Sequence, residues 1–291
     1  MLIKSNDINW DDVLSAASRL QGLITNAVLA DGTASAIFAT HRTSYDADHI
    51  VPNFREKFDL ILETLESVAG LETACIKRPV LILGSLDGIE TGVRQLIRTA
   101  PLETQDVYIH GQKIKVPTEA EILRIKGALI LKRNATRDYL DFAVLSYHIG
   151  LKATLDALMR FDDLYPQKNG QSALQQLYLQ LANPHPFDLD GIELSIYKHL
   201  TSDWQSWENV AQQCQRIACG IFAAMKKTGN QTTPVRPLLA ANLMQHAAAQ
   251  PRELHALSAP VASRHCFGGG TTFRNAMPLR GRPRANQAEP T

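Results

Sequence analysis

The sequence predicts an α+β chain: a small mixed sheet flanked by helices, followed by a helical C-terminal part. Two observations predict it. Between Asn26 and Val116, short apolar or alternating runs are separated by turn signals at Gly32, Asp87-Gly88 and His110-Gly111. From Glu119 to about Lys227, apolar residues return instead at helical spacing. The boundaries this implies are a core domain over 1–118, a helical C-terminal domain over 119–228 and a mostly flexible tail over 229–291.

Val13, Ala16, Ala17, Leu20 and Leu23 share a helical face, and Asn9, Asp11 or Asp12 is placed to cap that first helix. Residues 26–30 are a short apolar run suited to a buried strand. Gly32 breaks it, and 33–39 reads as a short helix. After a turn at 41–44, residues 45–51 form a second strand. Residues 54–68 are amphipathic, with Phe58, Ile61, Leu62 and Leu65 on one side. Residues 78–84 hold a buried strand, Asp87-Gly88 signals a hairpin, and 91–98 is a further strand. Residues 102–116 make short strands about the turn at His110-Gly111. Thr118 with Glu119 and Glu121 marks a helix start, its acids where the helix dipole favours them. That helix runs through Arg133, Asn134-Ala135-Thr136 interrupts it, and Arg137 opens the next. Later helices are expected around Leu151–Leu158, Leu174–Leu181, Asp190–Leu200 and Trp204–Met225. Beyond Gly229 the composition turns to Pro, Ala, Gly and Arg. Only 238–250 reads as an Ala-rich helix there, and the remainder cannot bury a core.

A chain of 291 residues that is 45% hydrophobic and 20% charged has enough apolar residues for a sizeable core. Its formal charge of +1 gives no global basic field for nucleic acid. Cys75, Cys214, Cys219 and Cys266 are scattered with no Cys-x-x-Cys pair, which favours free thiols in a reducing compartment. The N-terminus lacks an apolar leader, and no run approaches the roughly 18 apolar residues a membrane span requires. The expectation is a cytoplasmic protein without a membrane partner.

The densest chemistry lies between Arg42 and Ile50. Asp46 and Asp48 are two positions apart, so a strand places them on one face. Adjacent carboxylates repel when both are ionised, and a hard divalent cation with oxygen ligands relieves that repulsion. Gly32, Thr33 and Ser35 stand where a helix begins, a location that attracts phosphate. By itself the Asp-x-Asp pair reads more readily as two solvated aspartates at a strand end. A second polar cluster follows: Lys126 and Arg133 lie two turns apart on one helix, and Asp138 and Asp141 share a face of the next. By itself that cluster reads more readily as a solvated helix pair with cross-helix salt bridges.

The order Gly32-Thr33-Ala34-Ser35, then Arg42-Thr43-Ser44-x-Asp46-x-Asp48, then Lys126, Arg133 and Arg137-Asp138-x-x-Asp141 resembles the polymerase-β-type nucleotidyltransferases. It looks most like the AbiEii/AbiGii group, the toxin component of type IV toxin–antitoxin and phage-defence systems. The resemblance spans Val28 to Tyr147, about half the chain. It implies a Mg²⁺-dependent enzyme that moves a nucleoside monophosphate from an NTP to an acceptor hydroxyl. The acceptor it implies is RNA, such as a tRNA 3′ end, and a cognate antitoxin is the implied protein partner. By match, Gly32, Thr33 and Ser35 hold the nucleotide phosphates, with Arg42 and Ser44 nearby, and Asp46 and Asp48 hold Mg²⁺. Lys126 meets the triphosphate with support from Arg133 and Arg137; Asp138 is the polar or general-base residue, and Asp141 orients its neighbours. Two positions depart from the pattern. The first turn reads Asp31-Gly32 where Gly-Gly or Gly-Ser is usual, and Gln95 lies near the place of a third carboxylate. A non-catalytic nucleotide- or partner-binding module with a degenerate site is the alternative they motivate. Nucleotidylation of a small molecule or a protein is a third.

Overall fold

The first helix, α1 (Trp10–Leu23), begins with a capping box. The Asn9 side chain accepts from the Asp12 amide at 2.9 Å, and the Asp12 carboxylate accepts from the Asn9 amide at 3.2 Å. This computed structural model describes residues 9–168 and 170–227. The helix expected at 238–250 and the tail from 229 lie outside the described residues.

β1 (Val28–Leu29) leads through α2 (Asp31–Ala39) to β2 (Asp46–Val51), which pairs antiparallel with β1. After α3 (Phe58–Glu66) come β3 (Leu71–Lys77), β4 (Leu81–Leu86) and β5 (Ile89–Gln95). The resulting sheet has the order β1-β2-β5-β4-β3, with β2 and β5 parallel and the other neighbours antiparallel. β4 and β5 are joined by the expected hairpin, whose Asp87 and Gly88 both take positive φ (53° and 83°). β6 (Thr104–Ile109) and β7 (Gln112–Pro117) make a second hairpin about His110-Gly111.

The pleat of β2 decides where the polar residues go. Ala47, His49 and Val51 are buried; Ala47 and Val51 join α1, α3, β4 and β5 in one apolar core with Leu14, Phe54 and Ile82. Asp46, Asp48 and Ile50 therefore point to the other side. There lie α4 (Glu119–Arg133) and α5 (Thr136–Leu158). Together with α6 (Phe161–Leu164), α7 (Ala173–Ala182) and α8 (Trp207–Lys227) they form a second apolar core, to which α2 contributes Ala34. Ion pairs around the buried Glu121 and Arg124 tie the segment after β5 to the helices. Arg98 meets Glu121 at 2.7 Å, and Arg124 joins Glu121 at 3.0 Å and Glu103 at 2.9 Å.

Several local expectations are corrected. Gly32 sits inside α2 rather than ahead of it. The helix expected from 54 begins at Phe58, leaving Phe54 buried in the preceding turn. β3 was not anticipated: it is a half-exposed edge strand whose Glu72, Thr73 and Lys77 blur any apolar signal. Residues 190–200 form two 3-10 turns, Leu189–Gly191 and Leu194–Ile196, not a helix. The reason is tertiary. The Lys198 carbonyl accepts from the Thr43 amide, and the Thr201 amide donates to the His41 carbonyl, so this backbone serves the 41–43 turn. Cys75 is disulfide-bonded, which corrects the expectation of free thiols there, while Cys214 and Cys219 are free. Among the described residues, no helix is long and apolar enough to cross a membrane.

Candidate active site

Asp48 lines a cleft of about 100 Å³ between the sheet and α4. Arg94 and Leu96 form the sheet side, Ile125, Leu129 and Arg133 the helix side, and Asp31 one end. The parallel register sets Asp48 beside Gly92 and Ile50 beside Arg94. Residues opposed in this way share a face, so Arg94, not Gln95, belongs to the aspartate face. Its Nη2 donates to Asp48 Oδ2 at 2.7 Å. Gln95 instead braces the 52–55 turn, donating to the Pro52 carbonyl at 2.6 Å and accepting from the Arg55 amide at 2.8 Å. The aspartate face of β5 thus carries a cation at Arg94, next to the position of Gln95. Burial pushes the Asp48 carboxyl up to about 6, with Arg94 opposing the shift and Asp46 and Asp31 adding to it.

Gly92 provides the space for this arrangement, because a Cβ there would overlap the Asp48 carboxylate. Gly92→Ala is expected to break the Asp48–Arg94 pair and to destabilise the fold by about 1–3 kcal/mol. Urea unfolding measures it; an unchanged midpoint would show that Asp48 swings away freely.

Asp46 is held differently. Its Oδ1 accepts from Ser44 Oγ at 2.6 Å, and its carbonyl accepts from Thr33 Oγ1 at 2.5 Å. Thr33 and Ser35 are fully buried, and Ser35 Oγ donates to the Asp31 carbonyl at 3.0 Å inside α2. The hydroxyls expected to meet phosphate therefore shape α2 and seat Asp46. Gly32 has its own reason: a Cβ would overlap the Arg42 guanidinium, which passes over it.

The second cluster lies beside this site. Lys126 is fully buried, with its Nζ at 2.5 Å from Asp31 Oδ1, 2.8 Å from Asp141 Oδ2 and 3.7 Å from Asp138 Oδ1. Burial disfavours the ammonium, but these carboxylates outweigh it and hold its pKa above the ordinary value. Arg133 grips Asp138 with Nε at 2.5 Å and Nη2 at 2.7 Å, and reaches Asp31 at 3.5 Å. Arg42 grips Asp141 at 3.0 and 3.2 Å, lies over the Tyr197 ring, and His41 Nε2 is 2.9 Å from the same carboxylate. Burial pushes the Asp31 and Asp141 carboxyls up, yet the surrounding cations hold both well below the usual carboxylate range. Arg137 is exposed; among the described residues it has no hydrogen bond or ion pair, though its charge helps hold Asp31 ionised.

The cross-helix salt bridges considered for Lys126, Arg133, Asp138 and Asp141 thus exist, but buried rather than solvated. Of the matched residues, Asp48 and Arg133 line the cleft, while Lys126, Asp138 and Asp141 are buried beside it. Three participants had no motif to announce them: His41 and Tyr197, which hold Asp141 and Arg42, and Arg94, which the register between β2 and β5 brings to the aspartate face.

No family model matches this chain. Among curated proteins it is similar to the heme uptake protein MmpL11 of Mycobacterium tuberculosis, at 35% identity over 129 residues. It is also similar to the mycolic acid-containing lipids exporter MmpL11 of Mycolicibacterium smegmatis, at 26% over 181 residues. These matches cover 43% and 61% of this chain but 13% and 16% of those proteins, so it spans less than a fifth of their length. Among solved structures it is similar to JHP933 from Helicobacter pylori, with a TM-score of 0.45, 16% identity and coverage of 84% of this chain and 99% of that one. It is also similar to the antibiotic-resistance factor ANT(2'')-Ia, with a TM-score of 0.38, 13% identity and coverage of 55% and 94%.

The carboxylates also bear on metal binding. Among the described residues, no group of three or more His, Cys, Asp or Glu side chains is placed to hold an ion. Two carboxylates on one strand face suit a single Mg²⁺, which takes one or two protein carboxylates and completes its shell with phosphate oxygens and water. Glu90, opposite Asp46 in register, is exposed.

Proposed function

We propose that the cleft takes a nucleoside triphosphate and that the protein transfers its nucleoside monophosphate to an acceptor hydroxyl. The acceptor oxygen forms a bond to the α-phosphorus, the bond to pyrophosphate breaks, and the hydroxyl proton leaves to solvent or a nearby base. The observation that carries this reading is the placement of Asp46 and Asp48 on one strand face, with Asp48, Arg94 and Arg133 lining one cleft. The motif order around that dyad supports it. In this reading Asp46 and Asp48 hold one Mg²⁺, which neutralises phosphate charge when bound. Arg133 and Arg137 face the phosphates. Asp138, gripped by Arg133, and Lys126 and Asp141, which seat Asp31 and Arg42, are positioning residues. Gly32, Thr33, Ser35 and Ser44 shape the turn under the nucleotide. The transfer core ends at 118, and the helices of 119–228 buttress it. The acceptor is RNA, with a tRNA 3′ end the first to try, and the role is that of a cytoplasmic toxin restrained by an antitoxin.

The test incubates each labelled NTP with MgCl₂ and total RNA, using wild type, Asp46→Ala and Asp48→Ala. Label in RNA is expected from wild type, and about a hundredfold less from each variant. Equal labelling by all three would sink the proposal.

A second reading, nucleotide binding without turnover, is favoured by the two internal ion pairs Asp48–Arg94 and Asp31–Lys126. Calorimetric NTP binding with no labelled RNA, protein or small molecule would select it.

A further inference from the structure

We propose that Arg94 is a built-in cation beside the Asp46–Asp48 dyad, so that the site takes one divalent ion and a polyphosphate rather than two ions. This rests on the reading of that dyad as the site of nucleotidyl transfer. Three features of the chain point to it. The parallel pairing of β2 with β5 puts Gly92 and Arg94 on the aspartate face. With no Cβ at Gly92, the Asp48 carboxylate fills the space above it and meets Arg94 Nη2 at 2.7 Å. Finally, Arg94 Nε is buried and has no hydrogen-bond partner, although the residue lines the cleft.

A buried, unpartnered donor is rarely left in a folded protein. Here it belongs to a planar fork that already holds one anion and has further N–H groups to offer. The guanidinium is partly exposed and lines the cleft, so its remaining N–H groups can meet an anionic oxygen arriving there. The guanidinium then bridges Asp48 and a phosphate oxygen, as a second metal ion would bridge a carboxylate and a phosphate. Unlike a metal ion, it needs no loading and keeps its charge at any pH the fold survives. It also repels a divalent ion from that side of Asp48. A second hard cation would need several oxygen ligands of its own, and the described residues offer no three-carboxylate cluster.

The probes are MnCl₂, read by electron paramagnetic resonance, and inorganic tripolyphosphate, read by calorimetry, on the full chain. Wild type is expected to bind one Mn²⁺ per chain in the presence of tripolyphosphate. Arg94→Glu is expected to bind two, with tripolyphosphate at least tenfold weaker; Arg94→Lys keeps the count at one. Arg94 is partly exposed, so its replacement spares the core, and Arg94→Gln provides a neutral variant expected to weaken tripolyphosphate at least tenfold. Two Mn²⁺ on wild type, falling to one in Glu90→Gln, would assign the second position to Glu90 and overturn the proposal. So would no Mn²⁺ on wild type, or an Arg94→Gln variant that binds tripolyphosphate as wild type does. Ion count and polyphosphate affinity are read without any acceptor. Failure of RNA labelling therefore leaves them standing, and labelling by a two-ion wild type would remove Arg94 while keeping the transfer reading.

Discussion

Asp141→Asn is expected to lower stability by about 3–5 kcal/mol, the loss that follows when one partner of a buried ion pair is removed. Asp141 is fully buried and accepts from Arg42 while contacting Lys126 and His41. An amide there leaves the Lys126 ammonium with Asp31 at 2.5 Å and a more distant Asp138, and leaves Arg42 facing a dipole. For a domain of this size the midpoint of thermal unfolding should fall by on the order of 10 °C. The sign of the pH effect also follows. The folded Asp141 carboxyl titrates below its unfolded value, so its stabilisation is full above about pH 4 and is lost as the pH falls. The stability difference between wild type and Asp141→Asn should therefore be constant from pH 5 upward and shrink toward pH 3. Other groups contribute to the total curve. His49, which burial pushes down to about 4, also costs stability as the pH falls below about 6.5. Asp48, pushed up to about 6, acts oppositely between about 4 and 6. The wild-type-minus-variant difference cancels both. Urea unfolding at each pH measures it, and a difference that does not shrink would remove Asp141 as the source.

Asp31→Asn is expected to tighten binding of inorganic tripolyphosphate at least tenfold, a gain of about 1.4 kcal/mol. Asp31 lines the cleft and presents its oxygens to the buried Lys126 and to Arg133, a cleft-lining cation that a phosphate would otherwise approach. It acts as an internal counter-ion that an incoming polyanion must displace. Its φ of 56° is a left-handed conformation that Asn tolerates well, so the substitution removes the charge and keeps the backbone. Lys126 retains Asp141 and Asp138, so the core stays neutralised. Calorimetry on both proteins decides the matter. Unchanged or weaker binding by the variant would make Asp31 a structural partner of Lys126 alone.

Local chemistry made much of the fold legible. The Asp87-Gly88 and His110-Gly111 turns, the Thr118 cap and the Asn134 stop all act within a few residues, and all appear where the sequence places them. The facing pairs Lys126/Arg133 and Asp138/Asp141 follow from helical spacing and meet across α4 and α5. β3 and the 190–200 segment were not legible. One is an edge strand without a strong apolar alternation; the other takes its shape from hydrogen bonds to residues about 150 positions away.

By itself the sequence determined that Asp46 and Asp48 share a face, because side-chain parity along a strand is a local property. It determined equally that Lys126 and Arg133 share a face of one helix and Asp138 and Asp141 a face of the next. Only the tertiary structure decided which charges meet. Arg94 joined the dyad because β5 returns parallel to β2 in one register, and a shift of one residue would have presented Gln95 instead. Lys126 became a buried counter-ion because α2, α4 and α5 converge on it. An ion pair depends on distance and burial, which pairing between remote elements sets and neighbouring residues do not.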